Sequence, residues 1–257
     1  MNKQRKYILT ILSFLCTLTI FAEEKLAIIN DPDGFTNVRS GQGKEFPITD
    51  TIYKDEFFYC EWTEEGEWIK ILAMKWRDSQ QIEGYVHRSR IQLIENLNHK
   101  KQKELIVQIL NRHNFLAENF RATKYVVTYT YRTTMLQELE LYNDTKYSPI
   151  LEFLPKYFCS TNDTEVLQLF FSTMWADKGS ANETPSFTIG ECFVCKTDIV
   201  VEQLKKIKNA EQKELILDHI ECGLLNYFYV HEEGISDNKQ YNKLKIRLEN
   251  ERKNTSK

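Results

Sequence analysis

Two cysteines three residues apart, Cys192 and Cys195, have the type and spacing that could support redox chemistry. Thiols at this spacing near a helix N-terminus can have lowered pKa values and exchange disulfides. A thioredoxin-type site follows a strand in a βαβ unit, whereas the residues around this pair are typical of helices. We therefore expect a structural role, either as two buried thiols or as a simple Cys192–Cys195 disulfide.

Other candidates for nucleophilic or metal chemistry lack the partners that such sites need. Cys159 lies at the predicted end of a helix, whereas a cysteine peptidase has its nucleophile at a helix start. A zinc site needs about four ligands, and the sequence has neither a second C-x-x-C pair nor a histidine cluster. It also lacks the G-x-S-x-G, H-E-x-x-H and phosphate-loop motifs. We expect no catalysis, no metal and no cofactor.

The first 22 residues have the pattern of a secretory signal peptide. Three basic residues stand within the first six positions, the run from Tyr7 to Ile20 is largely apolar, and Ala22 supplies a small residue for cleavage. The run is shorter than the roughly 20 residues that span a bilayer, so we favour cleavage over a membrane anchor. The protein is then expected in the periplasm or outside the cell.

Cleavage would remove three positive charges and no negative ones, which takes the formal net charge from −3 to −6. A chain this acidic has no general attraction to nucleic acid or to an anionic membrane. Cleavage also leaves five cysteines, which are Cys60, Cys159, Cys192, Cys195 and Cys222. Because this number is odd, at least one thiol is unpaired or bound to another molecule.

Residues 25–95 carry the signals of a small all-β domain. Five short segments rich in β-branched and aromatic residues are bounded by Gly, Asp, Asn or Pro. They are Leu26–Ile29, Ile48–Tyr53, Phe57–Trp62, Trp68–Leu72 and Ile82–Val86. In the fourth, the two-residue period of a strand places Ile69 and Ile71 toward the core and Trp68 on the other face.

Three motifs in this half, DPDGFTNVRSGQG, EGEWIKI and EGYVHRSRI, resemble those of bacterial SH3-like domains, in the form common in exported proteins of Bacteroidetes. The resemblance implies an SH3-like barrel of five to six strands that binds or targets and does not catalyse. Since several family members bind peptidoglycan, it also implies a cell-envelope ligand, either a peptide or a peptidoglycan fragment. The polar stretch between Ile71 and Gly84 is longer than a tight hairpin and departs from the family.

The ligand-binding residues of this module are expected among its aromatic side chains. Trp62 ends a strand, Trp68 alternates away from the isoleucine face, and Tyr85 lies in the strand that closes the barrel. Exposed large aromatics are enriched at binding hot spots, although these three could also just cover the end of a small barrel. Arg39 is either a ligand contact or the residue that holds the loop after it, and we favour the second role.

After a polar boundary at residues 95–98, the chain changes to long segments without Gly or Pro. Asn98 is a good N-cap, and the apolar residues after it recur at helical spacing. Further helices are predicted at residues 117–141, 148–157, 162–177, 198–207 and 210–229. Lys124–Tyr131 is so rich in β-forming residues that a strand stays open there.

These patterns together predict an α+β protein of two domains. The SH3-like barrel at 25–95 is followed by an all-α helical bundle, or a short solenoid of helical hairpins, at 98–235. Residues 236–257 are a polar tail whose end we expect to fray.

The leading hypothesis is a non-enzymatic exported binding protein whose helical domain offers a second surface to a protein partner. The alternative is an envelope enzyme of unfamiliar type, in which the helical half catalyses and the barrel targets. A pocket in the helical half lined by acids, His or Cys with shifted pKa values would favour that enzyme. A structural assembly subunit is a third possibility, which a large apolar surface patch would favour.

Overall fold

A computed structural model describes residues 23–54, 56–74, 81–123, 129–231 and 238–255. In these residues one antiparallel sheet is followed by helices, so the chain has a two-part α+β layout. The predicted signal peptide and the part of the polar insertion that follows Met74 lie outside the described residues.

Seven strands form the sheet, and each is antiparallel to its neighbours. In chain order they are β1 (Glu23–Ile29), β2 (Phe35–Arg39), β3 (Ile48–Tyr53), β4 (Phe58–Trp62), β5 (Trp68–Met74), β6 (Gln81–His87) and β7 (Ile91–Leu93). Across the sheet the order is β3-β2-β6-β5-β4-β1-β7.

The sheet is an open, curled half-barrel, so the predicted SH3-like barrel is wrong. β3 and β7 stand at opposite ends of the sheet, and no pairing joins these two strands in the described residues. Two further strands were not among the five predicted segments. β2 lies inside a turn-rich loop, and β7 has only three residues, too few to show a two-residue period.

The open edge at β3 is protected from pairing with another chain. The backbone N–H of Thr51 donates to the carboxylate of Asp50 at 2.7 Å, and that of Tyr53 donates to the carboxylate of Glu56 at 2.8 Å. Side-chain acceptors on an edge remove the donors that a further strand would need. This edge is therefore a poor site for strand addition.

One face of the sheet buries a core of its own. Ile69 and Ile71 are each 1% exposed, which confirms the face predicted for them. The core contains Ala27, Ile29, Val38, Ile52, Phe58, Cys60, Ile69, Ile71, Ala73, Ile82, Val86, Ile91 and Leu93. β6 meets β2 at Gly84, where a Cβ atom would lie only 2.6 Å from the carbonyl oxygen of Arg39.

The helices are α1 (His99–Ala122), α2 (Tyr129–Tyr142), α3 (Ser148–Thr161), α4 (Thr164–Ala176), α5 (Thr184–Lys205), α6 (Ala210–His231) and α7 (Lys239–Thr255). A π-helical turn, Asn143–Tyr147, joins α2 to α3. Asn98 accepts the backbone N–H of Lys101 at 3.0 Å, as its predicted capping role requires. No helix in the described part of the chain combines the length and apolar character needed to cross a membrane.

Several predicted helix limits are wrong. α1 continues to Ala122 and α2 begins at Tyr129, whereas one helix was expected over 117–141. Most of the segment left open as a strand lies outside the described residues. α4 is capped by Asp163, whose carboxylate accepts two backbone N–H groups, because Asn162 lies in the left-handed region (φ 56°) and ends α3. α5 starts at Thr184, so the loop before it is shorter than predicted.

The predicted polar tail is largely the helix α7, which packs against α6. Tyr241, Leu244 and Leu248 recur at helical spacing and are buried. The Arg252 guanidinium donates to Asp218 at 2.8 Å and to Glu221 at 3.0 Å on α6. The sparse apolar residues of this helix lie on its packed face except for the exposed Ile246, which explains why its mean composition looked like that of a disordered tail.

The two halves share a core and a polar junction. Phe57 and Ile94, from the sheet half, belong to the helical core. Beside them, the Lys25 ammonium lies 2.7 Å from Glu95, and Lys156 of α3 pairs with the same carboxylate. These contacts fix the sheet against the helices, and Phe57 also lines the groove described below.

Candidate functional site

The aromatic residues predicted to bind ligand do not form one surface. Trp62 packs against the sheet core, with the Arg88 guanidinium 4.7 Å from its ring. Trp68 and Tyr85 lie on the opposite face of the sheet, because Trp68 alternates with the buried Ile69 and Tyr85 with the buried Val86. Pleating therefore separates Trp62 from the other two.

Arg39 has a structural role. Its Nη1 atom donates to the carbonyl oxygens of Lys44 at 3.0 Å and Phe46 at 2.7 Å, both in the loop between β2 and β3. This is the loop-holding role that we favoured from the sequence.

Of the two states considered for Cys192 and Cys195, the disulfide between them does not form. Cys195 forms a disulfide with Cys159, with their Cα atoms 6.1 Å apart, and Cys192 is a free buried thiol. Side chains three residues apart on a helix have Cβ atoms about 5–6 Å from each other, too far for a disulfide. Burial raises the pKa of the Cys192 thiol well above its usual range, so no reactive thiolate forms there.

Ser186 and His219 have the contact expected of a nucleophile and its base, with Ser186 Oγ 2.7 Å from His219 Nδ1. Ser186, however, is only 5% exposed. It lies where α5 and α6 approach most closely, since a Cβ atom at Gly223 would be 2.0 Å from the Ser186 carbonyl oxygen. A substrate has no room beside this serine, so the contact joins two helices.

A groove of about 1070 Å³ lies between the sheet and the helices, and we call it the sheet–helix groove. Its lining consists of Ile28, Tyr53, Lys54, Glu56 and Phe57 from the sheet half, and of Leu105, Gln108, Ile109, Arg112, Tyr142 and Lys146 from the helical half. The volume is in the upper range for ligand sites, and the lining is mainly apolar with a few polar groups, as in most such sites.

The charged groups of the groove are mostly cationic. Lys54, Arg112 and Lys146 line it together with a single carboxylate, Glu56, which already accepts the backbone N–H of Tyr53. Arg112 is also paired, at 2.8 Å, with Glu138, which is not part of the lining. The buried Lys146 ammonium lies 5.0 Å from the ring centroid of Phe57, so its positive charge lies directly behind the apolar lining. An acidic protein thus has a locally positive groove suited to an apolar ligand that carries carboxylates.

Sequence reasoning found only part of this groove. Leu105 and Ile109 were on the predicted apolar face of α1, and Phe57 began a predicted strand. No sequence signal joined them, because the lining comes from distant stretches that meet only where the sheet packs on α1. Gln108 and Arg112 are polar residues on an otherwise apolar face of α1, and both are exposed. Their polarity was the one signal in the sequence that this face is not fully covered.

A second cavity of about 550 Å³ lies in the helical half, and we call it the Asp177 cleft. Its walls are Ala117, Phe120 and Arg121 of α1, Arg132, Leu136, Leu139 and Glu140 of α2, Asn143 of the π turn, and residues 176–181 after α4. The sequence analysis singled out none of these residues as a site.

The acid at this cleft has a shifted pKa. Burial raises the pKa of Asp177 to about 6, against the opposing effects of a hydrogen bond with Ser180 and of the Arg121 charge. His113 lies behind it, with Nε2 3.8 Å from Asp177 Oδ2 and its ring stacked on Tyr147. His113 is fully buried, and burial lowers its pKa to about 3, so it stays neutral.

The described residues contain no group of His, Cys, Asp and Glu side chains arranged to hold a metal ion. Comparison of the whole chain with family models, curated proteins and solved structures found no match.

Proposed function

We propose that this chain is a non-enzymatic, exported binding protein whose ligand is a cell-envelope peptide that carries carboxylates. The ligand lies in the sheet–helix groove, with apolar side chains against Phe57, Leu105 and Ile109. Its carboxylates face Lys54, Arg112 and Lys146. Two sources fit this chemistry, the peptide part of a peptidoglycan fragment and a segment of an envelope protein.

The observation that carries this proposal is the combination of apolar lining and excess positive charge in one large groove. Three cationic side chains and one carboxylate line it, although the chain as a whole has a net charge of −3. A local field opposite to that of the whole protein favours anionic ligands and raises their rate of association.

Export and the envelope location rest on the sequence. The signal-peptide pattern at residues 1–22 supports secretion, and the likeness of three motifs to bacterial SH3-like domains supports an envelope ligand. The groove replaces the aromatic surface as the binding site, because Trp62 is separated from Trp68 and Tyr85.

The test uses titration of the mature protein with soluble peptidoglycan fragments and, separately, with synthetic acidic peptides of apolar composition. Gln108→Trp fills the groove from an exposed position, and we expect it to weaken binding at least tenfold (about 1.4 kcal/mol). Asn111→Trp, also exposed on α1 but outside the groove, is the matched control and should bind normally. Raised salt should weaken binding because charge attraction contributes to it.

Equal binding by the Gln108→Trp variant would remove the groove from consideration. Absence of binding to both probes at about 1 mM would refute the ligand class.

The enzyme alternative has one observation in its favour, since Asp177 lines a pocket of the helical half and has a raised pKa. We rank it second because the neighbouring His113 has neither ring nitrogen hydrogen-bonded within the described residues. No nucleophile and base are therefore paired at the cleft. A hydrolytic activity toward peptidoglycan that is lost in Asp177→Asn would reverse this ranking.

A further inference from the structure

We propose that the Asp177 cleft binds a small zwitterion, an apolar amino acid, independently of the sheet–helix groove. The ammonium group of this ligand is received by Asn143 and Asp177, and its carboxylate faces Arg132 and Arg121. The apolar side chain lies against Leu136 and Leu139.

The first support is a hydrogen-bond acceptor, Asn143 Oδ1, that lacks a donor in the described residues. Asn143 is 8% exposed and lines the cleft, and its Oδ1 atom is buried with no hydrogen-bond partner in the described residues. A buried polar atom left unpaired costs about 1–3 kcal/mol, so the native chain is expected to satisfy it in some state. A ligand N–H group would do so.

The second support is the carboxyl group of Asp177 in the same cleft. Its side chain is 9% exposed, and the nearest His113 nitrogen, 3.8 Å away, is too distant for a hydrogen bond. Because His113 is neutral, it provides no counter-charge. A ligand ammonium would add a full counter-charge and a further hydrogen bond to a carboxylate whose present partners are the Ser180 hydrogen bond and the Arg121 charge.

The third support is the arrangement of cations around these acceptors. The Arg121 Nη2 atom donates to the Trp175 carbonyl oxygen at 2.8 Å and also to that of Ala176, at the end of α4. Arg132 is exposed, with its guanidinium 5.3 Å from the Phe120 ring centroid. A simple cation would be repelled by these arginines, whereas the carboxylate of a zwitterion is attracted by them.

Binding should depend on pH because the ammonium requires Asp177 to be ionised. The pKa of Asp177 is raised to about 6 by burial, so affinity should fall as the pH drops through 6. The charged or titratable groups that face Asp177 are His113 and Arg121 of α1, Arg132 and Glu140 of α2, Tyr147, and Lys178. Of these, His113 stays neutral over this range because its pKa is lowered to about 3.

The test is titration of the mature, full-length protein with leucine, leucinamide and N-acetylleucine at about pH 7.5. Leucine should bind best, leucinamide more weakly, and N-acetylleucine, which lacks the ammonium group, not at all. Asp177→Asn should lower the affinity for leucine at least tenfold and abolish its dependence on pH near 6. Asn143→Leu should lower it by a similar factor.

Asp144→Asn, which changes an exposed neighbouring carboxylate outside the cleft, is the matched control and should bind leucine normally. Gln108→Trp should also leave leucine binding unchanged, so failure of the groove proposal and failure of this one are distinguishable. Equal affinity for N-acetylleucine, an Asp177→Asn variant that binds as well as the parent, or no binding of leucine at about 10 mM would each overturn the proposal.

Discussion

At the level of one residue, the buried carboxylate of Asp177 lowers the stability of the folded protein at neutral pH. An isolated buried carboxyl group favours its neutral form, which is why burial raises the pKa of Asp177 to about 6. At neutral pH the folded protein therefore holds an ionised carboxylate in surroundings that disfavour the charge. This charge is the one with which the ammonium group of the proposed ligand would pair.

Replacement of Asp177 by Asn should stabilise the unliganded protein at pH 7, by up to about 3 kcal/mol. Because the folded pKa lies above the ordinary value of 3.8, the folded state holds the proton more tightly than the unfolded state. The stabilisation that comes from this tighter proton binding is complete below about pH 4 and is lost as the pH rises through 6. Chemical denaturation of both proteins from pH 4 to pH 8 measures the difference.

The two proteins should have similar free energies of unfolding near pH 4, should diverge between about pH 4 and pH 6, and should differ by a nearly constant amount above pH 7. Asp144→Asn, at an exposed position, should follow the parent at every pH. An Asp177→Asn variant that is less stable than the parent at pH 7 would contradict the pKa assignment.

At the level of elements, one disulfide ties α3 to α5. Cys159 lies in the last turn of α3 and Cys195 in the middle of α5, at a sequence separation of 36. A covalent link across a loop of this length restricts the unfolded chain and so stabilises the folded one. Bonds of this kind are typical of proteins in oxidising compartments.

Cys159→Ser should lower the free energy of unfolding by roughly 3–4 kcal/mol in the oxidised protein. Thermal or denaturant unfolding measures the loss, and a reducing agent should lower the stability of the parent by a similar amount. Cys222→Ser, at an exposed free thiol, is the control and should change little. Peptide mapping that finds a Cys192–Cys195 disulfide would show that the Cys159–Cys195 pairing is wrong.

Helices and strands could be predicted where a local hydrophobic period or a capping residue specified them. The alternation of Ile69 and Ile71 and the capping residue Asn98 act within a few positions, and both were read correctly. The cysteine partners and the helix α7 were not, because each depends on which helix faces which. Helix geometry excludes Cys192 as the partner of Cys195, but sequence separation alone does not distinguish Cys60 from Cys159, and only the packing of α5 against α3 selects Cys159.

At the scale of the whole molecule, the two halves have separate cores but a shared boundary. The sheet core is complete in itself, whereas Phe57 and Ile94 from the sheet half are buried among helical residues. The sheet–helix groove exists only because of this arrangement. No pattern within either half predicts it, and this is why the sequence pointed to surface aromatics of one domain.

Residues 23–96 expressed alone should still unfold cooperatively, as expected from the sequence, because the sheet keeps its own core. The fragment should be less stable than the full chain, since Phe57 and Ile94 lose their helical neighbours. Circular dichroism during denaturant titration measures this. A fragment that is unfolded while the full chain is folded would show that the sheet depends on the helices.

The proposal that the sheet–helix groove holds the ligand is tested most directly by site-specific photo-crosslinking. A photoreactive residue at Gln108, inside the groove, is compared with one at Asn111 and one at Trp68 on the sheet surface. Soluble peptidoglycan fragments and acidic apolar peptides are the probes. Adducts formed at Gln108 alone, and reduced by high salt, are the predicted result, whereas adducts at Trp68 without any at Gln108 would contradict the assignment of the groove.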